Sequence, residues 1–137
     1  MSTQSVRKLL IFTLFLGISN LTYAGGGGTK AAASKYFSLS PPMVVNITDQ
    51  GKVRHLQVSI QLRLDNPSDG QAVQEHKPAI QHELVMFLSG REAKDVRTVQ
   101  GKEALRTEAT EIIKKFLSEN LGKPTISSVY FTAFVIQ

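Results

Sequence analysis

Groups able to do chemistry are few in this chain and badly spaced for it. The three histidines are His55, His76 and His82. His76 and His82 are six positions apart with Pro78 between them, a separation that does not place two imidazoles on one helical face, so they read as solvated or capping side chains rather than metal ligands. The carboxylates Glu103, Glu108 and Glu111 share their stretch with Lys102, Arg106, Lys114 and Lys115. Such a mixed face is a solvated one, and acid-base work would need burial that these neighbours do not suggest. Ser59, Ser127 and Ser128 lack the flanking glycines of a nucleophile elbow. There is no cysteine, which excludes disulfides, thiol catalysis and cysteine-bound metal. The run Gly25 to Gly28 has no strand before it and no Gly-Lys-Ser/Thr after it, so it reads as a linker and not a phosphate loop. No catalytic residue, cofactor or metal is expected.

The totals are those of an ordinary globular protein. A length of 137 residues suits one domain, with 42% hydrophobic and 20% charged residues. The net charge of +5 comes from 16 basic and 11 acidic residues, and Arg7 and Lys8 lie in an apparent targeting segment. The other charges are interspersed, which argues against a nucleic-acid surface.

Residues 1–24 have a short basic start, an uncharged run from Leu9 to Leu21, and small residues at Thr22 and Ala24 that fit a signal-peptidase site. The 16 residues from Leu9 to Ala24 would reach about 24 Å as a helix, short of a hydrocarbon core of about 30 Å. Two readings stay open: a cleaved signal peptide, or a short signal anchor that keeps the domain on the inner membrane. Residues 25–35 are a flexible Gly/Ala linker.

The remainder, 36–137, predicts strand, strand, helix, helix, strand. Tyr36 to Thr48 reads as an edge strand because Pro41 and Pro42 interrupt it. Asp49 to Lys52 forms the turn. Next comes the cleanest alternation in the chain: Leu56, Val58, Ile60, Leu62 and Leu64 on one side, and His55, Gln57, Ser59, Gln61 and Arg63 on the other. That polar row either faces water or is an interaction surface for another subunit. From Gln71 the pattern becomes helical, with Ile80, Leu84, Phe87 and Leu88 as the stripe and Ser89-Gly90 as the stop; Arg91 to Arg97 is a charged link. A second helix carries Leu105, Ala109, Ile112, Ile113, Phe116 and Leu117, with Thr98 as N-cap, Gly122 as the left-handed stop and Pro124 beyond. The last segment, Ser128 to Ile136, is apolar on both sides and reads as an inner strand. The expected fold is a small α/β (α+β) ββααβ domain, a three-stranded sheet with two amphipathic helices on one face.

Tyr36-Phe37 with Pro42 and Val44-Val45-Asn46, then Leu56-Gln57-Val58, Pro78-Ala79-Ile80, Gly101-Lys102-Glu103-Ala104-Leu105 and the ending Val129-Tyr130-Phe131-Thr132-Ala133-Phe134-Val135-Ile136-Gln137 follow one another in order. As a set they resemble the flagellar basal-body-associated protein FliL family, from about Tyr36 to Gln137. The resemblance implies a stomatin-like (SPFH) periplasmic domain of a single-pass inner-membrane protein. It also implies association with flagellar stator proteins of the MotA/MotB type, support of rotation and of swimming or swarming, and a homo-oligomeric ring; contact between copies is expected through sheet edges and helix faces. No catalytic residues come with that role. The alternative is a free periplasmic stomatin-like scaffold or membrane-organising module unconnected with motility.

Overall fold

The computed structural model describes residues 34–137. The signal segment 1–24 and nearly all of the 25–35 linker lie outside the described residues. Among the described residues no helix is long and apolar enough to cross a membrane.

Three antiparallel strands, β1 (Tyr36–Asp49), β2 (Lys52–Leu64) and β3 (Ile126–Ile136), form one sheet in the order β1-β2-β3. Gln50 and Gly51, at φ of 50° and 77°, make a two-residue hairpin turn whose left-handed residues match the twist of the strands they join. The five apolar residues of β2 predicted to share a face are all buried. Leu39, Met43, Val45 and Ile47 of β1 are buried beside them.

Helices cover that face: α1 (Gly70–Glu75), α2 (Lys77–Leu88), α3 (Ala93–Arg97) and α4 (Val99–Leu121). The expected first helix is thus two pieces that meet at His76. Pro78 explains the break, since it offers no N–H to Gln74 and its ring crowds that carbonyl. Ile80, Leu84 and Leu88 of α2 and Leu105, Ala109, Ile113 and Leu117 of α4 form the helical half of the core. The charged link contains α3, which buries Ala93 and Val96. Five residues are too few for a period to be read in a sequence, which is why α3 looked like a linker.

The ends of α4 follow from its sequence. Thr98 Oγ1 accepts the Gly101 N–H at 3.0 Å, and Gly122 closes the helix at φ 73°. A Cβ on Gly101 would collide with the Asp95 carbonyl, so the close passage of α3 against the first turn of α4 needs a glycine there.

β3 departs from expectation. It is an edge strand, with β2 at the centre of the sheet. Its first part is covered by α4, and from Phe131 onward it is half-buried or exposed. The apolar residues on both sides come from a bulge: Ser59 pairs with Ala133 but Ile60 pairs with Phe131, leaving Thr132 as the extra residue. Phe131, Phe134 and Ile136 therefore all lie opposite buried β2 residues, while Tyr130, Ala133 and Val135 lie opposite the polar row of β2. An unbroken alternation would have put Phe131, Ala133 and Val135 together.

Candidate interaction surface

The sheet face turned away from the helices carries the residues that sequence reasoning singled out. The alternation of β2 sends His55, Gln57, Ser59, Gln61 and Arg63 to this side in one row. His55 Nδ1 lies 2.8 Å from Asn46 Oδ1 across the hairpin, and Gln61 Nε2 donates to Ser38 Oγ at 3.1 Å. His55 and Arg63 are exposed, and Gln57, Ser59 and Gln61 are half-buried between the outer strands.

The row is flanked by residues that the β2 pattern alone could not reveal. β1 sets Tyr36 beside Arg63 and Val44 beside Gln57, while β3 sets Val135 beside Gln57 and Tyr130 beside Gln61. The Tyr36 and Tyr130 rings stand 6.3 Å apart across the row. Val44 and Tyr36 are more than half exposed, at 61% and 52%. The face is thus a strip of amide, hydroxyl, imidazole and guanidinium groups between two rows with apolar members. That arrangement offers both hydrogen bonds and desolvation area to a protein partner.

The groups considered for chemistry are scattered. His76 is tied to the Ala72 carbonyl at 2.9 Å and stands edge-on to Phe116, and His82 is exposed on α2. Among the described residues no three His, Cys, Asp or Glu side chains gather as metal ligands would. Glu103 is held by Arg106, whose Nη1 also donates to Ser128 Oγ at 2.8 Å. The Arg106 hydrogen bond, followed by its charge, holds the Glu103 carboxyl below its ordinary range. Glu108 is paired with Arg91 at 2.7 Å and Asp69 with Lys123 at 2.7 Å.

The pair that fixes one end of the domain is Asp49 with Arg97. Two hydrogen bonds of 3.0 and 2.8 Å join them, clamping α3 to the hairpin end of β1. Hydrogen bonding from Arg97 holds the Asp49 carboxyl below its usual range, and Asp49 in turn holds the Arg97 guanidinium above its own. In these four pairs each carboxylate is engaged by an arginine or lysine.

The model of the flagellar basal body-associated protein FliL family matches residues 36–137, which is the whole of the sheet-and-helix domain. The chain belongs to the FliL family. It is also 34% identical over 101 residues to the flagellar protein FliL of Aquifex aeolicus (strain VF5). That alignment spans 74% of this chain and 60% of the Aquifex protein. FliL-family membership places the chain among flagellar basal-body-associated proteins. The family segments quoted from the sequence acquire structural reasons here: the glycine of Gly-Lys-Glu-Ala-Leu is the α3–α4 contact, and the terminal segment is the bulged edge strand.

Proposed function

We propose that this chain is a non-enzymatic flagellar basal-body protein that associates with stator proteins of the MotA/MotB type from the periplasmic side of the inner membrane and supports rotation and swimming or swarming. The observation that carries the reading is the FliL match over the complete described domain, 36–137. The open sheet face supports it, because its mixture of hydrogen-bonding and apolar side chains suits contact with another folded chain. A ring of copies requires a contact between two different patches of the surface. The outer edge of β1 is blunted, as Gly90 N–H donates to Asn46 O and Thr48 N–H to Arg91 O, both at 2.9 Å. Ring contacts are therefore assigned to the open face and the helix surfaces rather than to strand pairing between the two sheet edges.

Mechanically, such a protein acts by binding one arrangement of the stator more tightly than another. Only that difference in affinity shifts the population toward the rotating state. A clean deletion strain tests this: it assembles filaments but swims or swarms poorly under viscous load, and the tagged chain co-purifies with stator proteins. Normal motility under load together with no stator co-purification overturns the proposal.

A further inference from the structure

The two edges of the sheet differ. On β1, besides the two bonds from the 90–91 segment, Pro41 and Pro42 carry no N–H to offer. On β3, Val129 N–H points outward and donates to Thr110 Oγ1 of α4 at 2.9 Å. Beyond it the edge changes character. Gln137 and His55 exchange two backbone hydrogen bonds, of 2.9 and 3.1 Å. The antiparallel alternation then turns the N–H and C=O of Ile136 and Phe134 away from β2, and across the Thr132 bulge those of Phe131 as well. Among the described residues no strand of the sheet lies on that side.

The first turns of α4 stand over this edge and make it one wall of a groove of about 670 Å³. Val99, Lys102, Glu103 and Arg106 line the helix side, and Phe131 and Phe134 are the apolar members of the strand side. Val99 is 86% exposed. The Phe131 and Phe134 rings touch each other at 5.2 Å between centroids. Arg106 is already engaged by Glu103 and Ser128, whereas Lys102 makes no ion pair among the described residues and holds its ammonium 5.4 Å from the Phe134 ring. Among the described residues the groove thus offers backbone donors and acceptors without strand partners along one wall, apolar contact area, and one uncommitted cation at the rim.

We propose that this groove takes an extended peptide segment of another protein, apolar at alternate positions and with a carboxylate on that same side, which adds as a fourth strand beside β3. Backbone pairing supplies the general affinity, the Phe131, Phe134 and Val99 surfaces select the apolar side chains, and Lys102 selects the carboxylate. A second copy of the chain fits less well. Pairing β3 with β3 about a twofold axis would bring two α4 helices to the same junction, setting the uncommitted Lys102 of each copy against that of the other. The proposal stands on the geometry of this edge and holds or fails whichever assembly the protein serves.

The test uses the full chain, isotope-labelled in mild detergent, and the blocked octapeptide Thr-Val-Thr-Val-Thr-Glu-Thr-Val as probe, whose valines and glutamate share one side of the extended strand. Its two companions are the same peptide N-methylated at alternate residues and the same peptide with lysine for glutamate. Binding shifts the amide resonances of Phe131, Phe134 and Ile136 and slows their hydrogen exchange, and the N-methylated peptide does neither. Lys102→Glu weakens the acidic probe by about fivefold, as expected for one exposed ion pair, and favours the lysine peptide over it. Four results overturn the proposal: no shifts at about 1 mM peptide, a Kd of the weakest useful class; equal binding of the N-methylated probe; shifts confined to the open sheet face; or protection of the same amides on raising protein concentration without peptide, which gives the edge to a second copy.

Discussion

Thr110 ties the long helix to the edge of the sheet, and replacing it by valine measures that tie. Its hydroxyl accepts the outward Val129 N–H at 2.9 Å and donates to the Arg106 carbonyl at 2.7 Å. Thr110 is 6% exposed and Val129 fully buried, so water cannot take over when the hydroxyl is lost. Thr110→Val keeps the shape of the side chain. The Arg106 carbonyl keeps its helical partner, and the loss falls on the orphaned Val129 N–H. Leaving a buried donor unpaired costs about 1–3 kcal/mol. For a domain of this size that lowers Tm by on the order of 10 °C. The assay is urea unfolding with the slope unchanged and the midpoint reduced, read beside hydrogen exchange at the Val129 amide. Thr110→Ser is the control: it retains the acceptor and removes one methyl, about 0.8 kcal/mol, and should leave Val129 protected. A Thr110→Val chain as stable as the parent, with Val129 exchange unaltered, would refute the reasoning.

Other expectations can be checked on the same purified chain. Gly101→Ala drives a methyl group against the Asp95 carbonyl and should destabilise by about 1–3 kcal/mol, seen as a lower midpoint in circular-dichroism melts. The Asp49 carboxyl is held below its ordinary range by Arg97, so its contribution is present above the unfolded-state pKa and lost as pH falls through the lower folded one. The stability gap between the parent and Asp49→Asn should therefore be constant near neutrality and close on acidification below about pH 5; a gap that widens in acid contradicts this. Deleting residues 133–137 removes the partly buried Phe134 and Ile136 together with the Gln137–His55 backbone pair, and limited proteolysis should find the truncated chain cut within the sheet.

Much of this fold was legible because some segments carry a single clean signal. β2 alternates five times without error, and the caps of α4 are written in Thr98, Gly122 and Pro124. The hairpin turn and the β1 edge were equally plain, and the fold class followed from them. The misreading of β3 has a definite cause. Apolar residues at both parities mean an inner strand only if the alternation is unbroken, and the Thr132 bulge shifts Phe134 and Ile136 onto the helix side. Bulges have no signature in a single sequence. The break at His76 follows from Pro78, which sits in the first turn of the Lys77–Leu88 helix, where proline is tolerated, and so marks a helix start. For the surface, the polar row from His55 to Arg63 was visible in β2, but its flanks come from pairing partners 13 (Val44–Gln57) to 78 (Val135–Gln57) positions away along the chain and depend on register. The groove under α4 depends on β3 being an edge, so the error about β3 concealed it.

The claim that the domain works by contact at the flagellar motor is tested most directly by the rotation of single motors under bead load. The measurement compares cells lacking this chain with cells complemented by the parent or by the open-face pair Gln57→Glu and Gln61→Glu. The account predicts slow rotation at high load in the deletion, recovery with the parent, and no recovery with the pair although it folds and accumulates normally. Full speed in the deletion, or full recovery with the pair, would contradict it.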